Sequence, residues 1–327
     1  MVRVKRLAYG LFEVRSIARW RDYLHLMYGL RLSPSQASGV FEALVDDTGC
    51  RLLFREGPAD DCVAAGWECT DLEGLKVQIK QSGFDAHWGS EQDAAGRGAR
   101  RLLRARDPNG LAHEIVDATR ANGPFTPADH GAVYDAGRLG FGHLTFMCND
   151  LEAFEVFCTK AIGLRPTDYN QPAVGPGLKV YVAFFRANAR HHSMAAAELP
   201  GAGKALNHFQ LEIATRNDVG KAYDRMRKSR YRMAHHIGVH PNDNQLSFYS
   251  VTPSGFQSEV GSESMLVEDS HSAVMFSEFS IWGHSMPLRE KLSALWLARP
   301  LLLKRLLGEA KPAPKFFEGA PLGKVQR

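Results

Sequence analysis

The chain has 327 residues, 44% of them hydrophobic and 23% charged, with a formal net charge of +4. That length accommodates about two domains with their own cores, and the balance is that of an ordinary folded protein. The small, dispersed positive charge gives no reason to expect nucleic acid as a partner. Cysteines at positions 50, 62, 69, 148 and 158 form no CxxC pair and no even framework, the pattern of reduced thiols in a cytoplasm. No run of about 18 uncharged apolar residues is long enough to span a bilayer. The apolar stretch after the basic N-terminus is broken at once by Glu13 and Arg15, so it reads as a first strand rather than a signal peptide.

In chain order, residues 7–14 predict a short strand. Ile17, Trp20, Tyr23, Leu24 and Met27 then recur at helical spacing until Gly29 stops them. Short apolar segments at 39–45 and 50–54 follow between polar turns. The same order restarts near Trp67: a strand to Cys69, a helix through Leu72, Leu75, Val77 and Ile79 stopped by Gly83, then strands ending in Asp107 to Val116. Each unit is too small to bury both faces of its sheet, so two must pack together.

Residues 118–138, with Gly123, Pro124 and Pro127, read as a connector, after which the pattern returns. Residues 139–146 predict a strand, Leu151, Phe154, Val156 and Phe157 a helix, and Gly163-Leu164-Arg165 ends it as Gly29-Leu30-Arg31 ended the first. The shift from Gly29 to Gly163 sets Tyr9 against His143. Near the ends, Pro108-x-Gly110-x3-Glu114 matches Pro253-x-Gly255-x3-Glu259, and an internal duplication accounts for both matches. The halves differ chemically. The first keeps Glu114, read as a remnant of the repeat or a surface charge, but has Tyr9 in place of His143 and no histidine to answer His208. The second half is therefore expected to be active and the first structural.

His143, His208 and Glu259, on separate predicted strands, suit one inward-facing metal site. Around them stand Gly142-His143-Leu144-Thr145-Phe146, Arg190-His191-His192-Ser193, Asn207-His208-Phe209-Gln210-Leu211-Glu212, His240-Pro241-Asn242-Asp243 leading to Phe248-Tyr249, Pro253-Ser254-Gly255 with Glu259, and Ser280-Ile281-Trp282-Gly283-His284. In this order, on this repeat, the chain resembles the type I extradiol catechol dioxygenases of the vicinal oxygen chelate superfamily over roughly residues 3–285.

The resemblance implies an α+β fold of two domains, each made of two paired βαβββ modules curving around a funnel. The expected boundaries are 1–120 for a degenerate domain without metal, 121–137 for the connector, 138–287 for the catalytic domain, and 288–327 for a tail. It also implies Fe(II), more rarely Mn(II), held by His143, His208 and Glu259. Two neutral imidazoles and one carboxylate leave adjacent coordination positions open, as co-binding of a substrate and dioxygen requires. His192 matches the family's acid–base histidine, and His240 and Tyr249 match residues that hydrogen-bond the substrate oxygens. Phe184 is a candidate pocket wall, while Asn242 and Asp243 are read as turn-shaping residues that touch substrate indirectly. His235, His236, His271 and His284 are given no role.

The expected reaction is ring opening of a bulky catechol such as 2,3-dihydroxybiphenyl beside its hydroxyls, with O2 as co-substrate. Steroid-derived or other polycyclic catechols, a 2-oxo-acid dioxygenase and a non-catalytic binding protein of the same fold are the alternatives. A homo-oligomer is expected. Residues 288–307, apolar with scattered basic residues and broken at Pro300, extend past the resemblance. They are expected to pack on the body or a second subunit, or to make weak contact with a membrane surface. The end from Glu309 is expected to be flexible.

Overall fold

The computed structural model describes the chain except for Thr48, Cys50, 122–124, 126–133, 135–136, 176–177, 308–310 and 324–327. Cys50 and most of the expected connector therefore lie outside the described residues. Cys62, Cys69, Cys148 and Cys158 are buried free thiols.

Helix boundaries follow local chemistry. Ser16 caps Ile17–Tyr28 by accepting from the Arg19 backbone N–H, and Gly29 ends the helix at φ +66°. Ile17, Trp20, Tyr23, Leu24 and Met27 are all buried. In the second half Asp150 caps Leu151–Val156, which continues as a π-turn over Phe157–Ala161, and Gly163 turns at φ +75°. Along Leu72–Gln81, Leu72, Leu75 and Ile79 point inward, but Val77 faces solvent.

Each half builds one large sheet, and the eight strands of the first recur in the same order in the second, which adds one strand at each edge. In the eight-stranded sheet, Arg6–Val14 pairs in parallel with Arg51–Glu56 and antiparallel with Asp61–Glu68, which pairs in parallel with Ala112–Val116. In the ten-stranded sheet, Gly142–Cys148 pairs in parallel with Met194–Glu198 and antiparallel with Leu206–Glu212, which pairs in parallel with Gln257–Ser262. The register carries the duplication to single residues: Tyr9 lies opposite Gly66, and Gly66 opposite Glu114. Likewise His143 lies opposite Gln210, and Gln210 opposite Glu259. Counting two residues back from Gly66 and from Gln210 equates Ala64 with His208.

The halves share one continuous hydrophobic core. Ile17–Tyr28 packs on Arg216–Arg227 of the other half, and Leu72–Gln81 packs on Phe157–Ala161. Trp20 stacks among Phe54, Phe209 and Phe256, with ring centroids 4.8, 6.2 and 5.6 Å away. Its indole N–H donates to Ser254 Oγ at 2.9 Å. Tyr23 hydrogen-bonds Ser250 at 2.6 Å and also Ser258, and the Tyr28 hydroxyl donates to the Glu259 backbone carbonyl at 3.2 Å. The first half thus grips the strand that carries Glu259.

Two segments depart from the sequence reading. A short helix, Glu91–Gly96, interrupts the second module behind a Ser90/Asp93 capping box, and it delivers Arg97 to the funnel. The expected flexible end also docks over 311–323. Phe317 lies with ring centroids 5.0 Å from Tyr169 and 5.1 Å from Tyr181, and Pro321 and Gly323 exchange backbone hydrogen bonds with Met275. Between body and docked end runs the helix Leu288–Leu306. No described helix is long and apolar enough to cross a membrane.

Removing the Trp20 ring leaves a cavity at the junction of the halves and an unpaired Ser254. Trp20→Ala is expected to destabilise the fold by about 3–5 kcal/mol, read as a lower urea midpoint.

Candidate metal centre

The alternation of strand side chains and the register place His143, His208 and Glu259 on the inner face of the ten-stranded sheet. Nε2 of His143 is 3.0 Å from Nε2 of His208, and Oε2 of Glu259 lies 3.1 Å from the first and 3.4 Å from the second. Metal–ligand bonds of about 2.1 Å at right angles put neighbouring donors about 3 Å apart, so the triangle has the dimensions of one face of a coordination shell. Glu259 Oε1 makes no hydrogen bond although it is buried; its neighbour, His240 Nε2, is 3.5 Å away. Two imidazoles and a carboxylate crowded this closely, with one carboxylate oxygen unsatisfied, fit a divalent cation, and the 2-His-1-carboxylate set suits non-haem iron.

The protonation states agree. Burial drives His208 down to about 3, only partly opposed by the Glu259 charge, so its ring is neutral at pH 7. Its Nδ1–H donates to Asn207 Oδ1 at 2.7 Å, which leaves the Nε2 lone pair free. Burial works against the Glu259 carboxylate, but the neighbouring imidazoles of His143 and His240 outweigh it and hold the group well below the usual carboxylate range.

The three residues expected to do chemistry stand around this triangle. The His192 ring lies 3.9 Å from that of His143, and burial, then His143 and His191, push it well below the usual histidine range. His191 Nε2 is 2.6 Å from Asp168 Oδ2, and His191 Nδ1 is 3.0 Å from His192 Nδ1. A carboxylate only accepts, so His191 donates through Nε2, and a neutral His191 then accepts at Nδ1 from His192. This order leaves His192 Nε2 bare. On the other side, His240 Nδ1 donates to the Phe279 carbonyl at 2.9 Å, and its Nε2 meets the Tyr249 hydroxyl at 2.8 Å. Burial, reinforced by Glu259, keeps the Tyr249 phenol protonated well above its ordinary pKa.

Of the expected substrate contacts, Phe184 presents a half-buried ring 5.0 Å from His192. Asn242 and Asp243 are buried in their turn; Asp243 accepts from the Gln245 N–H at 3.1 Å and from Ser264 at 3.3 Å, and its carboxylate lies near His191 and His192. The sequence reading passed over several neighbours. Asp168 belongs to no motif, and His191 stands in the motif of His192 without a role of its own. His284 stacks on His240 at 4.1 Å, His235 lies 5.0 Å from Tyr249, and Phe279 lies 5.0 Å from His240. For His284 the Ser280–His284 motif was the available signal. Arg190 and Glu212, from two separate motifs, form a buried ion pair.

The equivalent position in the first half is chemically closed. Glu114 is buried, not a surface charge. The Tyr9 hydroxyl donates to it at 3.0 Å, Arg97 reaches both oxygens at 2.7 and 3.2 Å, and Arg104 binds Oε1 at 3.1 and 3.2 Å. The Tyr9 ring lies across Gly66, where any Cβ would collide with it at 2.2 Å. A cavity of about 950 Å³ opens above this floor, but a guanidinium fills the place of a metal.

Residues 140–260 match the Glyoxalase/Bleomycin resistance protein/Dioxygenase superfamily. The chain is 36% identical to the 3-methylcatechol 2,3-dioxygenase of Pseudomonas putida, an alignment covering 86% of this chain and 97% of that one. The chain belongs to the extradiol catechol dioxygenases. It is also 32% identical to the biphenyl-2,3-diol 1,2-dioxygenase of Paraburkholderia xenovorans, over 89% of this chain and 98% of that protein. The crystal structure of a halotolerant catechol dioxygenase aligns with a TM-score of 0.80 at 26% identity, covering 89% of this chain and 97% of that one.

Burial opposes the charge of Glu114, but Arg97 and then Arg104 outweigh it and lower its pKa in the fold. The pair therefore contributes stability above the unfolded carboxylate pKa of about 4.3 and loses it as pH falls through the folded value. Arg97→Met is expected to cost on the order of 3 kcal/mol at pH 7. Its deficit against wild type should narrow below about pH 4 as Glu114 protonates, measured by urea unfolding at each pH.

Proposed function

We propose that this dioxygenase opens a bulky catechol ring beside its two hydroxyls, using Fe(II) held by His143, His208 and Glu259 in a catalytic domain at 138–287. The observation that carries the reading is the 3.0–3.4 Å donor triangle bordered by His192, His240 and Tyr249. Bound iron would supply a point where catechol oxygens and dioxygen meet and through which electron density passes from ring to O2.

The protein's own groups handle protons and orientation. His192, neutral with Nε2 bare, is placed to take a proton and return it. Tyr249 keeps its phenolic proton and so donates to a substrate oxygen, while His240 is fixed by Phe279 and bonded to Tyr249. Phe184 forms one wall. A second ring on the substrate is favoured by that aromatic wall and by the partly exposed Phe279 at the rim. The named relatives act on both a one-ring and a two-ring catechol. The residues at 1–120 form the metal-free counterpart, and a homo-oligomer belongs to the same reading.

The direct test is to load Fe(II) without air, add 2,3-dihydroxybiphenyl, admit oxygen and follow a yellow ring-fission product. Bound iron without colour across several catechols would sink the reading. His143→Ala and Glu259→Ala are each expected to lose bound iron by metal analysis, along with cleavage. Asp168→Asn tests the histidine chain: the variant should keep its iron and KM, while kcat falls about 10–100-fold. An unchanged kcat would remove Asp168 and His191 from the positioning of His192.

A further inference from the structure

The helix Leu288–Leu306 has two apolar faces, and the body covers one of them. Glu290 and Ala298 are buried, and Ala294, Leu297, Leu301 and Leu302 are half-buried on the covered side. On the opposite side Leu288, Leu292, Leu295, Trp296, Leu303 and Leu306 are 49–84% exposed. At 3.6 residues per turn those six fall within an arc of about 100°. A solvated helix does not ordinarily carry such a stripe outward.

The charges around the stripe say what fits it. Arg289, Lys291 and Lys304 are exposed, and the Arg299 guanidinium sits 3.5 Å over the Trp296 ring within the apolar arc. The helix's single carboxylate, Glu290, is turned inward toward Arg232 at 3.4 Å. The outward face is thus apolar and cationic, with no acid. A two-fold contact with another copy would press these cations against their own equivalents without a counter-charge. A bilayer interface with anionic headgroups meets both features.

We propose that this face docks the protein on an anionic lipid surface, the helix lying in the interfacial plane. Its position is fixed from both ends. Upstream, His236 donates its backbone N–H to the Ser285 carbonyl, and downstream the 311–323 segment is seated on the catalytic half. The helix is about 28 Å long, enough to lie along a membrane as a single contact. Six and nine residues before its start, Trp282 and Phe279 are 53% and 40% exposed, and Phe279 borders His240. Two exposed aromatic rings thus stand on the segment that leads from the metal site into the helix. Docking itself does not depend on which catechol is cleaved.

The test is flotation of the iron-loaded full-length protein with phosphatidylcholine vesicles, with and without phosphatidylglycerol. The protein should float with the anionic vesicles, stay behind with neutral ones, and be released by high salt. Lys291→Gln and Lys304→Gln should each weaken binding about five-fold. Leu292→Glu with Leu303→Glu should lower it at least ten-fold while cleavage of a water-soluble catechol stays at the wild-type rate. Absence of flotation with anionic vesicles overturns the proposal, as does equal binding by the double glutamate variant. A dimer in sedimentation velocity that the double variant dissociates, with no flotation, would assign the face to a second copy instead.

Discussion

A carboxylate buried in the floor of a curved sheet needs positive charge beside it, because burial alone penalises the ionised form. Both halves of this chain place such a carboxylate at the same register position, Glu114 in one and Glu259 in the other. They answer the need differently. In the first half Arg97 and Arg104 surround the group with donors, and Tyr9 completes it. In the second half the neighbours are His143 and His208, whose ring nitrogens converge with Glu259 on one point. The same floor is a structural ion pair in one place and a triangle of candidate metal donors in the other.

The first half nevertheless belongs to the site. Its opening helix inserts Trp20, Tyr23 and Tyr28 against the strands around Glu259, with hydrogen bonds to Ser254, Ser250 and the Glu259 carbonyl. Donors that must stay within a few tenths of an ångström of a coordination geometry gain from being held through the backbone as well as through side chains. The histidine chain from Asp168 through His191 does the same for His192 by fixing which nitrogen carries the proton.

Much of this was legible in the sequence because repetition exposes function by contrast. Gly29 against Gly163, and Glu114 against Glu259, set the alignment, and the residues that failed to match, Tyr9 and His143, marked which half differed. The register of the two sheets then reproduced that alignment at single residues. What escaped depends on contacts between distant strands. Asp168 stands 23 residues from His191, and neither spacing nor composition joins them. Glu114 reads as a remnant of the repeat or a surface charge; its burial escapes the sequence because its partner Arg97 arrives at the end of a short helix that the strand pattern conceals, although the Ser90/Asp93 capping box announces it. The docked end at 311–323 was misread for a related reason: its anchors, Phe317 and the backbone around Pro321, bind strand edges far away in sequence.

The crossing of Tyr9 over Gly66 and the seating of Arg97 close the first half to a metal in more than one way. Changing Tyr9 to histidine would not create a metal site, because Arg97 would still reach Glu114 and Ala64 would still supply no second imidazole. Removing Arg97 first would strip Glu114 of its main counter-charge before any metal was there to replace it. A metal site in the first half therefore lies several simultaneous substitutions away, because the Arg97 guanidinium, the Tyr9 ring and the Ala64 methyl would all have to give way together.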